Sequence, residues 1–385
     1  MQYRLFGHDG WKAPILGFGA MRLPSRHDGR VDVDESIRLI RAAVDGGINY
    51  IDTAYFYHDG QSETIVGKAL MDGYREKVRI ATKSPGHLIK SADDFDRILD
   101  EQLRRLDVTF IDYYLFHGIG DDGLRRINDL GLFTRMEKAK KRGLVRHIGF
   151  SFHDGPQAFK RIIDAYDGWA MCQIQYNYMD TDNQAGTGGL RYAASKGIPV
   201  VVMEPLLGGR LANPPAPIAR LFRDFGPQYS PAEWSLRWIW NHPEVSIVLS
   251  GMNAQSQLKE NCAAADRAGT GILNEGDLTL IERVTGEFLK RTVIPCTKCR
   301  YCMPCPSAVD IPRNIEMYNE GVVYGDPSAP RFVYTMFTKP ENRAGACSGC
   351  GVCEEKCPQK IAISEWMPTI QSVLGDGKPY PQSDR

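Results

Sequence analysis

Eight short apolar runs, rich in β-branched and aromatic residues, recur along the first 290 or so residues, and an amphipathic stretch follows almost every one. The runs are Ile15–Ala20, Asn49–Ala54, Val78–Lys83, Ile111–His117, His147–Ser151, Met171–Asn177, Pro199–Pro205 and Val245–Gly251. Asp34–Asp45, Ser62–Met71, Asp93–Leu106, Phe133–Arg142 and Pro156–Tyr166 are typical of the segments between them. Hydrophobic patterning that keeps switching between strand and helix periods marks β–α units. Eight of them in unbroken series predict a parallel sheet closed into a (β/α)8 TIM barrel. An open doubly wound sheet would want Gly-x-Gly-x-x-Gly after its first strand, and Gly17-Phe18-Gly19-Ala20-Met21-Arg22 does not supply it.

Ahead of the first run, residues 2–15 hold two extended pieces around His8-Asp9-Gly10, a hairpin signal. Trp234 and Trp238, four apart before the last strand, read as one packed helix face. Asp277–Arg291 reads as a closing helix, and from Cys296 onward strand alternation gives way to cysteine, proline and short helical pieces. The expected organisation is a barrel domain over residues 1–291 and a small, mostly helical domain over 292–385, with a loose polar end from about Asp376.

Chemistry in a barrel of this kind gathers where the strands end. The second run ends at Asp52, with Tyr57 five residues beyond; the third ends in Thr82-Lys83, the fourth in Phe116-His117 and the fifth in Phe150-Ser151. Barrel closure would bring Asp, Tyr, Lys and His to one rim. A tyrosine hydroxyl is too weak an acid to protonate a carbonyl oxygen well at neutral pH, and a neighbouring ammonium favours its phenolate. A buried lysine wants a counter-ion, which Asp52 supplies, and His117 could orient a substrate oxygen. The blander alternative is an Asp–Lys rim ion pair with a histidine satisfied by backbone.

The run Gly47-Ile48-Asn49-Tyr50-Ile51-Asp52-Thr53-Ala54-x-x-Tyr57, with Thr82-Lys83, Asp112–His117 and Arg146–Ser151, resembles the aldo-keto reductases, over residues 1 to about 290. The resemblance implies an N-terminal hairpin plugging the barrel's bottom. It also implies a tetrad of Asp52, Tyr57, Lys83 and His117, with Tyr57 as proton donor and NAD(P)H as hydride source. The substrate would be a small-molecule carbonyl, or an alcohol in reverse. Ser151 and Gln173 would hold the carboxamide, and Gly19, Ala20 and Met21 would line the cofactor. Some positions depart from the family. Met203, followed by Glu204, Pro205 and Leu206, stands where an aromatic residue usually lies under the nicotinamide. Phe152 stands where asparagine is common. After the eighth strand, Gly251 and Gln257 replace the Lys and Arg that many members use for a 2′-phosphate, whereas Glu260 and Asn261 remain to face adenine. Without those cations, the electrostatic preference for NADPH is lost, which favours NADH.

The ten cysteines are unevenly placed. Cys172 and Cys262 are isolated and read as inert core thiols. The other eight form two runs, Cys296-x-x-Cys299-x-x-Cys302-x-x-Cys305-Pro306 and Cys347-x-x-Cys350-x-x-Cys353-x-x-x-Cys357-Pro358. In a reducing compartment such clustering means metal rather than disulfides. The second run matches that of bacterial two-cluster ferredoxins, and the first is one residue short in its final gap. The fourth ligand in such runs characteristically comes from the other run. One [4Fe-4S] cluster would then take Cys296, Cys299, Cys302 and Cys357, the other Cys347, Cys350, Cys353 and Cys305; paired structural zinc sites are the alternative. The module resembles a helical dicluster ferredoxin.

Lys+Arg and Asp+Glu are both 47, so charge gives no reason to expect nucleic acid or an anionic membrane surface. No apolar run reaches the roughly 18 residues needed to span a bilayer, and Met1-Gln2-Tyr3-Arg4-Leu5 lacks a signal-peptide core; a cytoplasmic location is expected. Hydride transfer moves two electrons and cubanes move one. The clusters could therefore exchange electrons with an outside ferredoxin or serve as structural or oxygen-sensing parts, or the barrel could hold a flavin instead of a nicotinamide. A further alternative is an electron-transfer subunit whose barrel is only a binding scaffold. Met21–Asp32, Gly118–Leu132 and Gly208–Ser230 are the loops expected to shape the pocket, with Tyr55, Phe56, Phe116 and Phe152 as an apolar wall.

Overall fold

The computed structural model describes residues 1–7, 10–26, 28–226, 229–296 and 300–381. The chain divides into two compact units, Met1–Ala212 with Tyr229–Leu278, and Asn213–Gln228 with Thr279–Arg385.

The first unit is a closed barrel of eight parallel strands: β3 (Leu16–Gly19), β4 (Tyr50–Asp52), β5 (Arg79–Ser84), β6 (Ile111–Ile119), β7 (Val145–Phe152), β8 (Trp169–Gln175), β9 (Val200–Met203) and β10 (Val245–Ser250), with β10 closing onto β3. Each lies within one of the expected runs or overlaps most of it. Both faces of such strands are covered, so they read as nearly continuous apolar runs. Ahead of them β1 (Tyr3–Leu5) pairs antiparallel with β2 (Lys12–Pro14); two residues of the expected hairpin tip, His8 and Asp9, lie outside the described residues. The hairpin fills one end of the barrel. Phe6 and Ala13 join the interior cluster of Tyr50, Ala81, Tyr113, Leu115, Met171, Val201, Ile247 and Leu249, with Trp11 packed against it.

The outer helices form where the patterning expected them. Ala92–Leu106 begins with a capping box, Ser91 and Asp94 each bonding the other's backbone, and buries Phe95, Ile98, Leu99, Leu103 and Leu106 on one face. In the tryptophan helix Pro231–Trp240 both residues of the expected face pack against the protein interior. Trp234 is buried, but Trp238 is only half buried, against Tyr176 and His242. Trp240, which the four-residue spacing left out, is fully buried and donates Nε1–H to Ile15 O at 2.9 Å.

The second unit is helical, with Ile311–Tyr324, Ser328–Met336 and Ile363–Ile370 as its longer helices beyond residue 290. Its core joins Val309, Ile311, Ile315, Met317, Tyr318, Tyr334, Met367 and Ile370 to the buried Cys353 and Cys357. Among the described residues, no helix is long and apolar enough to cross a membrane.

Candidate active site and cysteine module

Strand register carries the chemistry to one rim. Gly19 aligns with Asp52, Asp52 with Ala81, Lys83 with Leu115, and Ser151 with Gln173. Lys83, almost wholly buried, donates from Nζ to Asp52 Oδ1 at 2.5 Å, to Thr53 O at 2.8 Å and to Tyr57 Oη at 3.2 Å. Gln173 Nε2 donates to the other Asp52 oxygen at 3.0 Å. The Tyr57 and His117 rings meet edge to face, with centroids 6.1 Å apart. The four expected tetrad residues therefore stand together.

Their surroundings hold them there. Behind β5, buried Glu63 accepts from Thr82 Oγ1 at 2.6 Å and Gln102 Nε2 at 2.5 Å, and Gln102 also reaches Lys83 O at 3.1 Å. The loop carrying Tyr57 turns through three successive residues with positive φ, His58, Asp59 and Gly60, two of them in a conformation L-residues rarely adopt. It is pinned by the Leu23 amide donating to His58 Nε2 at 3.0 Å and by Ser62 Oγ donating to Ala20 O at 3.0 Å.

Electrostatics departs from the sequence reading at Tyr57. Burial is the largest influence on its hydroxyl, and the pKa is raised; Lys83 pulls the other way without winning. Burial also opposes the Lys83 ammonium, but Asp52 and Tyr57 together raise its pKa. Burial pushes Asp52 up while Lys83 and Gln173 draw it down. The net shift at Asp52 is upward, and the raised Lys83 stays an ammonium, donating to Asp52 Oδ1. Burial, then the positive charge of Lys83, lowers His117 to about 3, so its imidazole is neutral and can donate one N–H.

The positions expected to hold a nicotinamide show one orphaned group: Gln173 Oε1 is buried without a hydrogen-bond partner. Ser151 Oγ accepts from the Gly118 amide at 2.7 Å, leaving its own proton to give. An acceptor and a donor at neighbouring register positions fit the two ends of a carboxamide. Met203 ends β9 half buried, followed by Pro205 and Leu206. Gly19, Ala20 and Met21 run beside the start of the last βα loop, since a Cβ on Gly19 would lie 3.5 Å from Ser250 O and 3.8 Å from Gly251 N. Beyond Gly251, Gln257 Oε1 accepts from Asn253 N at 2.9 Å, Asn261 Nδ2 donates to Ser250 Oγ at 3.2 Å, and Glu260 accepts from Ser230 Oγ.

A cavity of about 530 Å³ adjoins His117 and is lined by Phe56, His87, Ile89, Phe116, Ile119 and Arg126 among others. Phe56 stacks on His87 with centroids 4.5 Å apart. Only part of the expected apolar wall is here. Tyr55 instead bonds Glu101 at 3.1 Å, and Phe152 packs into the core on Phe159. Sequence reasoning missed His87, Arg126 and Glu204, whose charge acts on Tyr57. His87 and Arg126 lie outside the strand ends, one in the short 3-10 helix Gly86–Leu88 and one on an unforeseen helix, so the strand-end argument had no means of finding them.

In the second unit the cysteines surround two cavities. Cys305 joins Cys347, Cys350 and Cys353 around one, and Cys357 joins Cys296 and Cys302 around the other. Cys299 lies outside the described residues. Each run thus lends its last cysteine to the other's cavity. The Gly349 amide donates to Cys347 Sγ at 3.4 Å. Thiolates are the donors that iron–sulfur clusters take.

A closed barrel with an acid, a phenol, an ammonium and an imidazole at its rim, followed by a cysteine-ligand module, defines an iron–sulfur oxidoreductase of the barrel class. The chain belongs to the aldo/keto reductase family, whose model matches residues 15–269, and a 4Fe-4S dicluster domain matches residues 295–362. It is 26% identical over 305 residues to an L-galactose dehydrogenase of Arabidopsis thaliana, covering 74% of this chain and 94% of that protein. It is 39% identical to the aldo-keto reductase YhdN of Bacillus subtilis over 160 residues, 39% of this chain and 47% of that one. Among solved structures, an aldo-keto reductase from Klebsiella pneumoniae in complex with NADPH superposes with a TM-score of 0.60 at 26% identity, over 74% of this chain and 95% of that one. The holo form of an aldo-keto reductase from Bacillus halodurans gives 0.61 at 25%, over 74% and 96%.

Proposed function

We propose that the barrel reduces a small-molecule carbonyl with NAD(P)H, or oxidises the alcohol in reverse, and that Tyr57 is the proton donor. The observation that carries this reading is the contact set of Lys83, which touches Asp52 and Tyr57 together within 3.2 Å. A bound dihydronicotinamide would supply a hydride to the carbonyl carbon. Tyr57 gives its hydroxyl proton to the carbonyl oxygen and becomes a phenolate, which the adjacent Lys83 ammonium stabilises as it forms. Neutral His117 donates one N–H to the same oxygen and fixes its direction. Asp52 keeps Lys83 charged and positioned, and Gln173 holds Asp52 while presenting its free Oε1 to the carboxamide. The NADPH named for the Klebsiella relative supports a nicotinamide coenzyme. The glycine and glutamine at 251 and 257 still favour NADH as the better-bound form.

Tyr57→Phe should lower kcat by about 10²- to 10⁴-fold with coenzyme affinity unchanged, read by steady-state kinetics beside a fluorescence titration. Turnover at the wild-type rate would remove Tyr57 from the role.

In the second unit, the eight cysteines would carry two [4Fe-4S] clusters with the crossed ligand sets above. These would pass single electrons, with a ferredoxin-type protein as the fitting partner. The boundary near residue 292 and a reducing, cytoplasmic setting belong to the same proposal. The scaffold alternative differs in one measurement: it requires cluster reduction by a partner protein and no carbonyl reduction by the isolated chain with NAD(P)H.

A further inference from the structure

The cavity beside His117 has one side on the helix Asp121–Asp129 and another on the turn that follows β5. Arg126 and His87 reach it from these two sides. Arg126 Nη1 donates to Gly86 O at 3.3 Å, which ties the guanidinium to the residue before His87. Among the described residues this is the one hydrogen bond that Arg126 makes, and no carboxylate pairs with it. Asp122 is the one acid lining the cavity, and it is taken by the neighbouring Arg125. Ile89, Phe116, Ile119 and Leu132 make much of the remaining lining apolar.

Phe56 connects the two ends of this space. Its ring stacks on His87 with centroids 4.5 Å apart and lies 6.4 Å from the ring of His117, inclined by 29°. It is still 37% exposed, so a flat apolar surface is left for a ligand to lie on. A mostly apolar cavity of about 530 Å³ with a few placed polar groups has the make-up of a small-molecule site, in which those groups fix orientation.

We propose that the substrate carries a carboxylate at the end away from its carbonyl, with an apolar body between, and that Arg126 and His87 bind that carboxylate. This rests on the carbonyl-reduction reading of the barrel and names the substrate class for it. The carbonyl oxygen lies with Tyr57 and His117, and the body runs along Phe56 and Phe116. A guanidinium presents its N–H groups as a planar fork that matches a carboxylate in a bidentate way, and Arg126 has donors to spare. His87 has an N–H to donate whether its imidazole is neutral or charged. One arginine on an apolar lining compensates one negative charge. A phosphomonoester would bring about two and leave the second poorly paired. Because the carboxylate is remote from the reacting carbon, its binding is alike in ground and transition states, and the gain falls in KM rather than kcat.

The test uses the full chain with NADH and two pairs of aldehydes that differ in charge alone: 4-carboxybenzaldehyde and 4-formylcinnamic acid, each beside its methyl ester. The two acids differ in length, which covers the span from His117 to Arg126. In wild type, kcat/KM for the better acid should exceed that of its ester by about tenfold or more, and raising the ionic strength should shrink that ratio, because Arg126 is exposed and its charge is screened. Arg126→Met should cut the acid-to-ester ratio by about ten- to hundredfold, mainly through KM, and Arg126→Lys should keep part of it. Circular dichroism and a urea melt check that the variants fold. A wild-type ratio near one for both pairs, or a ratio that Arg126→Met leaves unmoved, overturns the assignment while the esters' turnover keeps the carbonyl-reduction reading intact. A wild-type chain that reduces none of the four aldehydes overturns both.

Discussion

Burial, the largest influence on the Tyr57 hydroxyl, works against Lys83, and the same burial makes Lys83 and Asp52 costly to separate. Removing one partner of a buried ion pair leaves the other charged without compensation, at about 3–5 kcal/mol. Lys83→Met should therefore lower unfolding free energy by about that much in urea melts. The double variant Asp52→Asn/Lys83→Met should recover much of it, because no charge is then stranded. At His117 the sign runs the other way from a salt-bridged histidine. Its folded pKa, about 3, is below the unfolded value near 6.5. Between those pH values the unfolded chain binds the extra proton, so this residue's contribution to stability falls as pH drops from 6.5 toward 3. NMR of the His117 ring should show the neutral form down to pH 5, and a midpoint near 6.5 would contradict the depressed value. At this scale the sequence showed which residues meet, because strand ends in a barrel share a rim. It did not show the sign of the Tyr57 shift, which depends on how far the loop folds the phenol into protein.

Between residue and molecule, close backbone approach decides what is tolerated. Gly67, in helix Ser62–Ala69, faces the end of helix Ala92–Leu106; a Cβ there would stand 2.5 Å from Leu106 O and 2.7 Å from Leu106 C. Alanine would gain up to about 1 kcal/mol of helix propensity, but the atoms in its way are backbone and cannot swing aside. Gly67→Ala should cost about 1–3 kcal/mol, read as a lower urea midpoint at unchanged slope. The barrel strands were legible because each is a compact apolar run bounded by turn residues. Several helices were not. Asp121–Asp129, inside the stretch expected to be a pocket loop, buries only Ile127, with Leu124 half buried one turn before it, a two-residue apolar signal that the surrounding charged residues and glycines masked. Gly186–Ser195 begins Gly-Thr-Gly-Gly, a composition that opposes helix in isolation and is overruled by packing of Leu190 and Ala193.

For the molecule as a whole, the two units have separate apolar cores, so they should respond differently to loss of metal. Anaerobically reconstituted chain should hold about eight iron atoms with matching sulfide, and stripping them with a chelator should melt helical signal from the cysteine-bearing unit. NADH binding by the barrel should survive that treatment. Zinc in place of iron would instead give a colourless protein. The crossed arrangement of the cysteine runs has a consequence for biosynthesis. Cys296 and Cys302 line one cavity with Cys357, and Cys305 lines the other with Cys347, Cys350 and Cys353, so in the proposed ligand sets each cluster draws on both runs. A ribosome that has released the first run into the cell has still delivered neither nest complete. Both close only after Cys357 has emerged, well beyond the barrel strands in chain order, so cofactor delivery must wait for the second run, by which time the barrel has had the opportunity to fold.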